Sequence, residues 1–157
     1  FPVVPIQQLD QRPTRLANLA DLTCDSDGRL DHFIGDGQPK QLLELHELDG
    51  NNPYLIGLFL SGAYQEVMGN LHNLFGTTNA VHIRLSPGGS YRIDHVVRGD
   101  TNADVLEAME HDPRALLERL RVAAEAAINN GQLRIDESRR LLDHLESSLR
   151  QTTYLQD

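Results

Sequence analysis

The sequence predicts an α+β fold, with an antiparallel, barrel- or sandwich-like β-domain over residues 1–100 followed by a short helical region over residues 101–157. Three observations predict it. Short apolar runs broken by glycine, aspartate and asparagine fill the first hundred residues. One pair of runs alternates with period two around a Pro-Gly-Gly turn. After Gly99, apolar residues recur at helical spacing behind side chains suited to capping.

In chain order, Ala20 to Cys24, Leu30 to Ile34, Leu42 to His46 and Tyr54 to Leu60 read as strands, because turn-forming clusters bound each run. Ala63 to Leu74 has helix-compatible spacing at Tyr64, Val67, Met68 and Leu71, and Gly76 ends it. Val81, Ile83 and Leu85 alternate with His82 and Arg84. Pro87-Gly88-Gly89 then turns the chain into Tyr91, Ile93, His95 and Val97, which alternate with Arg92, Asp94 and Val96, so a hairpin with one buried face is expected. Thr101 is positioned to cap a helix with Asp104 in its first turn and Val105, Leu106 and Met109 on one face. Asp112-Pro113 starts the next helix, because the carboxylate caps it and proline at the first position loses no helical hydrogen bond. Asn129-Asn130-Gly131 stops that helix, and Leu141, Leu142, Leu145 and Leu149 mark the last one.

Composition narrows the function. Fourteen basic against twenty-three acidic side chains give a net charge of -9, which repels phosphate backbones and anionic membranes, so neither nucleic acid nor a membrane is an expected partner. The longest apolar stretch, Tyr54 to Tyr64, is far shorter than the ~20 residues of a membrane helix. One cysteine allows no internal disulfide, and a reducing, cytoplasmic setting is expected.

Cys24 has two readings. It is a small buried hydrophobe at a strand end, or a proton donor, because the adjacent Asp25 and Asp27 are unusual neighbours in a packed core and disfavour a thiolate. Asp27 suits the Asp27-Gly28 turn, whereas Asp25 precedes it. Tyr64 is either an amphipathic core residue or a hydroxyl presented to a phosphate beside a helix N-terminus. His82 and His95 lie on strands expected to pair, so a two-histidine site is geometrically open to them, as is a purely structural role. Lys40, the only lysine, sits among turn formers in Gly35-Asp36-Gly37-Gln38-Pro39-Lys40, where nothing would lower its pKa for Schiff-base chemistry.

Leu22-Thr23-Cys24-Asp25-Ser26-Asp27-Gly28 and Gly62-Ala63-Tyr64-Gln65-Glu66, together with Leu71-His72-Asn73-Leu74-Phe75-Gly76-Thr77-Thr78-Asn79-Ala80-Val81, Gly99-Asp100-Thr101 and Thr153-Tyr154-Leu155, resemble the C-terminal domain of the biosynthetic arginine decarboxylases. These belong to the alanine-racemase-like, or fold type III, enzymes that use pyridoxal 5'-phosphate (PLP). The resemblance implies the C-terminal part of an enzyme that converts L-arginine to agmatine and CO2 in polyamine biosynthesis, with magnesium reported beside PLP. It implies an N-terminal PLP-binding barrel as partner and a homodimer or homotetramer with active sites at the dimer interface. By the same resemblance, Cys24 is the catalytic acid donated across the interface, Asp25 receives the distal cationic group of the substrate, and Tyr64 contacts the PLP phosphate. Related ornithine-type decarboxylases carry an aspartate where this chain has Gly28, which agrees with the arginine branch. With Lys40 unsuited to anchor PLP, and with Phe1 in place of an initiator methionine, the chain is expected to be a fragment inactive by itself. The contrasting expectation is a freestanding β-rich interaction or oligomerisation module without catalysis.

Overall fold

The structure, a computed structural model, describes residues 2–21, 28–50, 52–69 and 71–154, apart from the side chain of Gln65. The chain divides into two compact units, Phe1–Val67 and Met68–Asp157. The change from strand to helix pattern falls at about residue 100, whereas the hairpin expected around Pro87 groups with the helices.

In the first unit, β1 (Val3–Pro5) pairs with β6 (Ile56–Leu58), β2 (Arg15–Ala17) with β5 (Leu43–Leu45), and β3 (Leu19–Ala20) with β4 (Arg29–Leu30), all antiparallel. The pairings are nested, so the chain runs out through β1, β2 and β3 and returns through β4, β5 and β6. Val3, Phe33 and Leu43 are buried, and Leu19, Leu45 and Ile56 pack against them. Each such side chain contributes about 1.5–3 kcal/mol when fully removed from water, which ties the ribbon pairs into one small core. Four of the strands lie within or beside the expected apolar runs. Pro5 and Arg15 disguise β1 and β2, and proline is tolerated in β1 because β6 pairs with only one of its edges.

The helix expected from Ala63 to Leu74 is shorter. It spans Ala63–Met68 (α1), and a 3-10 turn follows at His72–Leu74. Leu71, Asn73 and Leu74 have φ of 49°, 51° and 64°, a left-handed backbone that cannot propagate a right-handed helix.

In the second unit, β7 (Ala80–Leu85) and β8 (Tyr91–Val97) form the expected hairpin, turned by Gly88 and Gly89 at φ of 94° and 84°. Its alternation differs from the expected one. Asp94 is an extra residue between the pairs His82–His95 and Ile83–Ile93, and this β-bulge reverses the phase of β8. Val96, not His95 or Val97, therefore shares a face with Tyr91 and Ile93, and neither face is buried. Asp94 also joins two like charges that face each other across the hairpin, lying 2.9 Å from Arg84 Nε and 2.7 Å from Arg92 Nε.

Helices α2 (Asn102–Ala108), α3 (Pro113–Asn129) and α4 (Ile135–Arg150) complete the unit. Both expected caps form. The Asp112 carboxylate accepts from the N–H groups of Arg114 at 2.8 Å and Ala115 at 3.3 Å, and Gly131 at φ 69° follows the end of α3. At α2, Thr101 and Asp104 form a reciprocal capping box, and Val105 and Ala124 are buried where the helices pack. The α+β class is as expected. Among the described residues each sheet has two strands and no barrel closes.

Candidate functional site

Cys24 and Asp25 lie outside the described residues. Their described flanks form the β3–β4 ribbon, where the Asp21 N–H donates a 3.2 Å hydrogen bond to the Gly28 carbonyl. Leu19, Ala20, Asp21, Gly28, Arg29 and Leu30 line a cavity of about 340 Å³. A side chain added at Gly28 would begin 2.6 Å from a carboxylate oxygen of Asp21. An aspartate there would set a second carboxylate against the first, so glycine at this position is consistent with the local electrostatics.

Tyr64 is the second residue of α1 and is 72% exposed, which removes it from the core of the described chain and leaves its phenol accessible. Lys40 is held as a cation. Its ammonium donates a 2.8 Å hydrogen bond to Glu44 Oε2, and this partner raises the lysine pKa and lowers that of the carboxylate. Schiff-base chemistry needs the neutral amine, so the environment acts in the opposite sense. Its backbone is also fixed, because Lys40 and Phe33 exchange hydrogen bonds of 2.9 and 2.7 Å.

His82 and His95 do meet, with rings edge to face and centroids 5.7 Å apart. Among the described residues no group of three or more His, Cys, Asp or Glu is placed to hold a metal ion.

The buried histidine that sequence reasoning missed is His46. Its Nε2 lies 3.0 Å from the Gln11 carbonyl, which only accepts, so Nε2 carries the proton. Its Nδ1 lies 2.7 Å from the Tyr54 hydroxyl, whose oxygen accepts the His46 backbone N–H at 2.9 Å. Both ring nitrogens and the Tyr54 hydroxyl are engaged within the fold, which fits a structural role. A second missed arrangement joins the base of the hairpin. Thr77 donates to Asp100 Oδ2 from its N–H at 2.7 Å and from its hydroxyl at 2.9 Å, and Asn79 Oδ1 accepts from the Gly99 N–H at 2.8 Å. A Cβ on Gly99 would stand 2.4 Å from the Thr77 carbonyl oxygen, so only glycine allows this approach of two backbones.

Residues 103–155, covering most of α2 and all of α3 and α4, match the arginine decarboxylase C-terminal helical extension. Along its whole length the chain is 96% identical to the biosynthetic arginine decarboxylase of Parasynechococcus marenigrum (strain WH8102), covering 24% of that protein. Over 99% of its length it is 69% identical to that of Prochlorococcus marinus (strain MIT 9303), again covering 24%. The crystal structure of the biosynthetic arginine decarboxylase SpeA from Campylobacter jejuni superposes with a TM-score of 0.76 at 33% identity, over 99% of this chain and 25% of that one. The chain is similar along its whole length to biosynthetic arginine decarboxylases, and it spans about a quarter of the length of the curated relatives it matches. Among the described residues no helix is long and apolar enough to cross a membrane.

Proposed function

We propose that this chain is the C-terminal part of a PLP-dependent arginine decarboxylase and contributes substrate-side residues to a site shared between two copies of the full-length enzyme. One observation carries the reading: a chain that aligns throughout with arginine decarboxylases holds its only lysine as a cation on Glu44. Lys40 does not fit a PLP anchor. The anchor is a lysine outside this span, in the N-terminal barrel that the family resemblance implies. Tyr64 does fit a phosphate contact, because its exposed hydroxyl is a donor on an accessible helix. The described residues offer no cluster for magnesium, and no step is assigned to it.

When bound, PLP supplies the electron sink that lets a carboxyl group leave an amino-acid α-carbon. The residues of this chain do the rest of its share. The Asp25 carboxylate receives the guanidinium of L-arginine with two parallel charge-assisted hydrogen bonds, which selects for a long cationic side chain. The Cys24 thiol delivers its proton to the substrate α-carbon after CO2 has left, giving agmatine. Tyr64 fixes the phosphate end of the cofactor. The paired ribbons are parts of the barrel- or sandwich-like β-domain that the resemblance implies.

The test uses the full-length protein with PLP. It is expected to release CO2 from arginine, and borohydride reduction should fix PLP on a lysine outside residues 1–157. A reduced adduct on Lys40, or no decarboxylation of arginine, contradicts the reading.

A further inference from the structure

Asp21 directly follows β3 and Gly28 directly precedes β4, so the two residues close the base of the ribbon whose intervening sequence carries Cys24 and Asp25. The Asp21 side chain reaches across that base. A Cβ on Gly28 would stand 2.6 Å from Asp21 Oδ2 and 3.0 Å from both its Cγ and Oδ1, so the carboxylate occupies the space that a side chain at position 28 would fill. Among the described residues this carboxylate has no hydrogen-bond or ion-pair partner, and the neighbouring Arg29 lies 3.6 Å from Asp31 instead. Leu19, Ala20 and Leu30 line the same cavity. A carboxylate without a partner, beside apolar walls, suits a cationic group carried on an alkyl chain.

We propose that Asp21 is a second specificity-determining carboxylate, which receives guanidinium N–H groups of L-arginine that Asp25 leaves unpaired. The proposal rests on the function proposed above and deepens it. A guanidinium presents five N–H donors in a rigid planar fork, and a single carboxylate accepting two parallel bonds leaves the other three to find partners. The ammonium of lysine or ornithine is a compact, strongly hydrated point charge without that fork. Two carboxylates therefore gain more from arginine than from either amine. Gly28 is part of the device, because the absence of a side chain there leaves the Asp21 carboxylate its place at the ribbon base.

The experiment uses the full-length enzyme with PLP. Steady-state kinetics with arginine and lysine are combined with calorimetric binding of agmatine, which keeps the guanidinium and has no carboxyl group to lose. Asp21→Asn removes the charge at nearly constant shape. It is expected to raise the KM for arginine and the Kd for agmatine by about tenfold or more, to leave kcat within about twofold, and to reduce the preference for arginine over lysine. Gly28→Ala, whose Cβ displaces the carboxylate, should weaken agmatine binding as well, yet add less than about twofold in an Asp21→Asn background, because both changes remove the same contact. Unchanged agmatine affinity in Asp21→Asn, with arginine turned over by the wild type, would overturn this inference alone. So would a fall in kcat at unchanged KM and Kd, which would make Asp21 a support of the ribbon and not a substrate contact. A wild type that neither binds agmatine nor decarboxylates arginine would overturn the proposed function together with it. If Asp21→Asn does not fold, Gly28→Ala decides alone, and wild-type agmatine affinity in that variant contradicts the inference.

Discussion

The hydroxyl of Tyr154 donates a 2.8 Å hydrogen bond to the carbonyl of Gly76, 78 residues earlier in the chain. Beside it the Gly76 N–H donates to Thr153 Oγ1 at 2.9 Å, so the segment after α4 satisfies both backbone groups of one glycine. The Tyr154 ring stacks on Phe75 with centroids 5.2 Å apart and planes at 23°. A Cβ on Gly76 would stand 2.6 Å from Asp100 Cβ, so this approach also depends on glycine. The C-terminal segment thereby fastens the stretch that leads into the hairpin.

Tyr154→Phe keeps the stacked ring and removes the hydrogen bond, leaving a part-buried carbonyl unpaired, and should cost about 1–2 kcal/mol. Tyr154→Ala also loses the aromatic pair and should cost at least about 0.5–1.5 kcal/mol more. Denaturant midpoints of the wild type and both variants check this. Equal stability of Tyr154→Phe and the wild type would show that the bond contributes nothing.

The capping box at α2 predicts a pH dependence. Hydrogen bonds from the Thr101 hydroxyl and N–H, at 2.6 and 2.7 Å, lower the Asp104 pKa below its ordinary range. The folded state therefore favours the carboxylate. Its contribution is fully present above the unfolded pKa of about 4 and disappears as pH falls through the lowered folded value. Thr101→Ala should cost about 1 kcal/mol at neutral pH by loss of the cap. Asp104→Asn should flatten the acid limb of the stability curve, measured by denaturation at several pH values. An unchanged acid limb would place the pH dependence in other carboxylates.

The helices were legible because their signals are local. Asp112-Pro113, Thr101 with Asp104, and Asn129-Asn130-Gly131 act within one turn, and each does in the structure what its chemistry requires. The strands were less legible because pairing is not local. The short runs Val3–Pro5 and Arg15–Ala17 become strands only through partners about thirty to fifty residues away, at Leu43–Leu45 and Ile56–Leu58. The bulge at Asp94 was hidden for the same reason, since a single extra residue is visible only against the opposite strand. Of the candidate site, Lys40 is hydrogen-bonded to Glu44 and Tyr64 is exposed, whereas Cys24 and Asp25 lie outside the described residues. His46 escaped notice because its partners, Tyr54 and the Gln11 carbonyl, converge only in the folded unit.

Asp25→Ala in the full-length enzyme should mainly weaken arginine binding. A hydrogen-bonded carboxylate–guanidinium contact is worth about 1.5–3 kcal/mol, or roughly a ten- to hundredfold rise in KM. Steady-state kinetics with arginine, lysine and ornithine measure it. An unchanged KM with selectivity intact would remove Asp25 from substrate recognition.

The central claim is that this chain gives Cys24 to a site whose PLP lysine belongs to another copy. Subunit mixing tests it most directly. A full-length Cys24→Ala variant and a full-length variant lacking the PLP lysine should each be nearly inactive in forming agmatine. After random exchange in equal amounts, half of the dimers are mixed and one of their two sites has both native residues, so about a quarter of wild-type activity should return. Recovery near zero in demonstrated heterodimers would contradict the account, and would mean that Cys24 and the lysine act from the same chain or that Cys24 is a structural thiol.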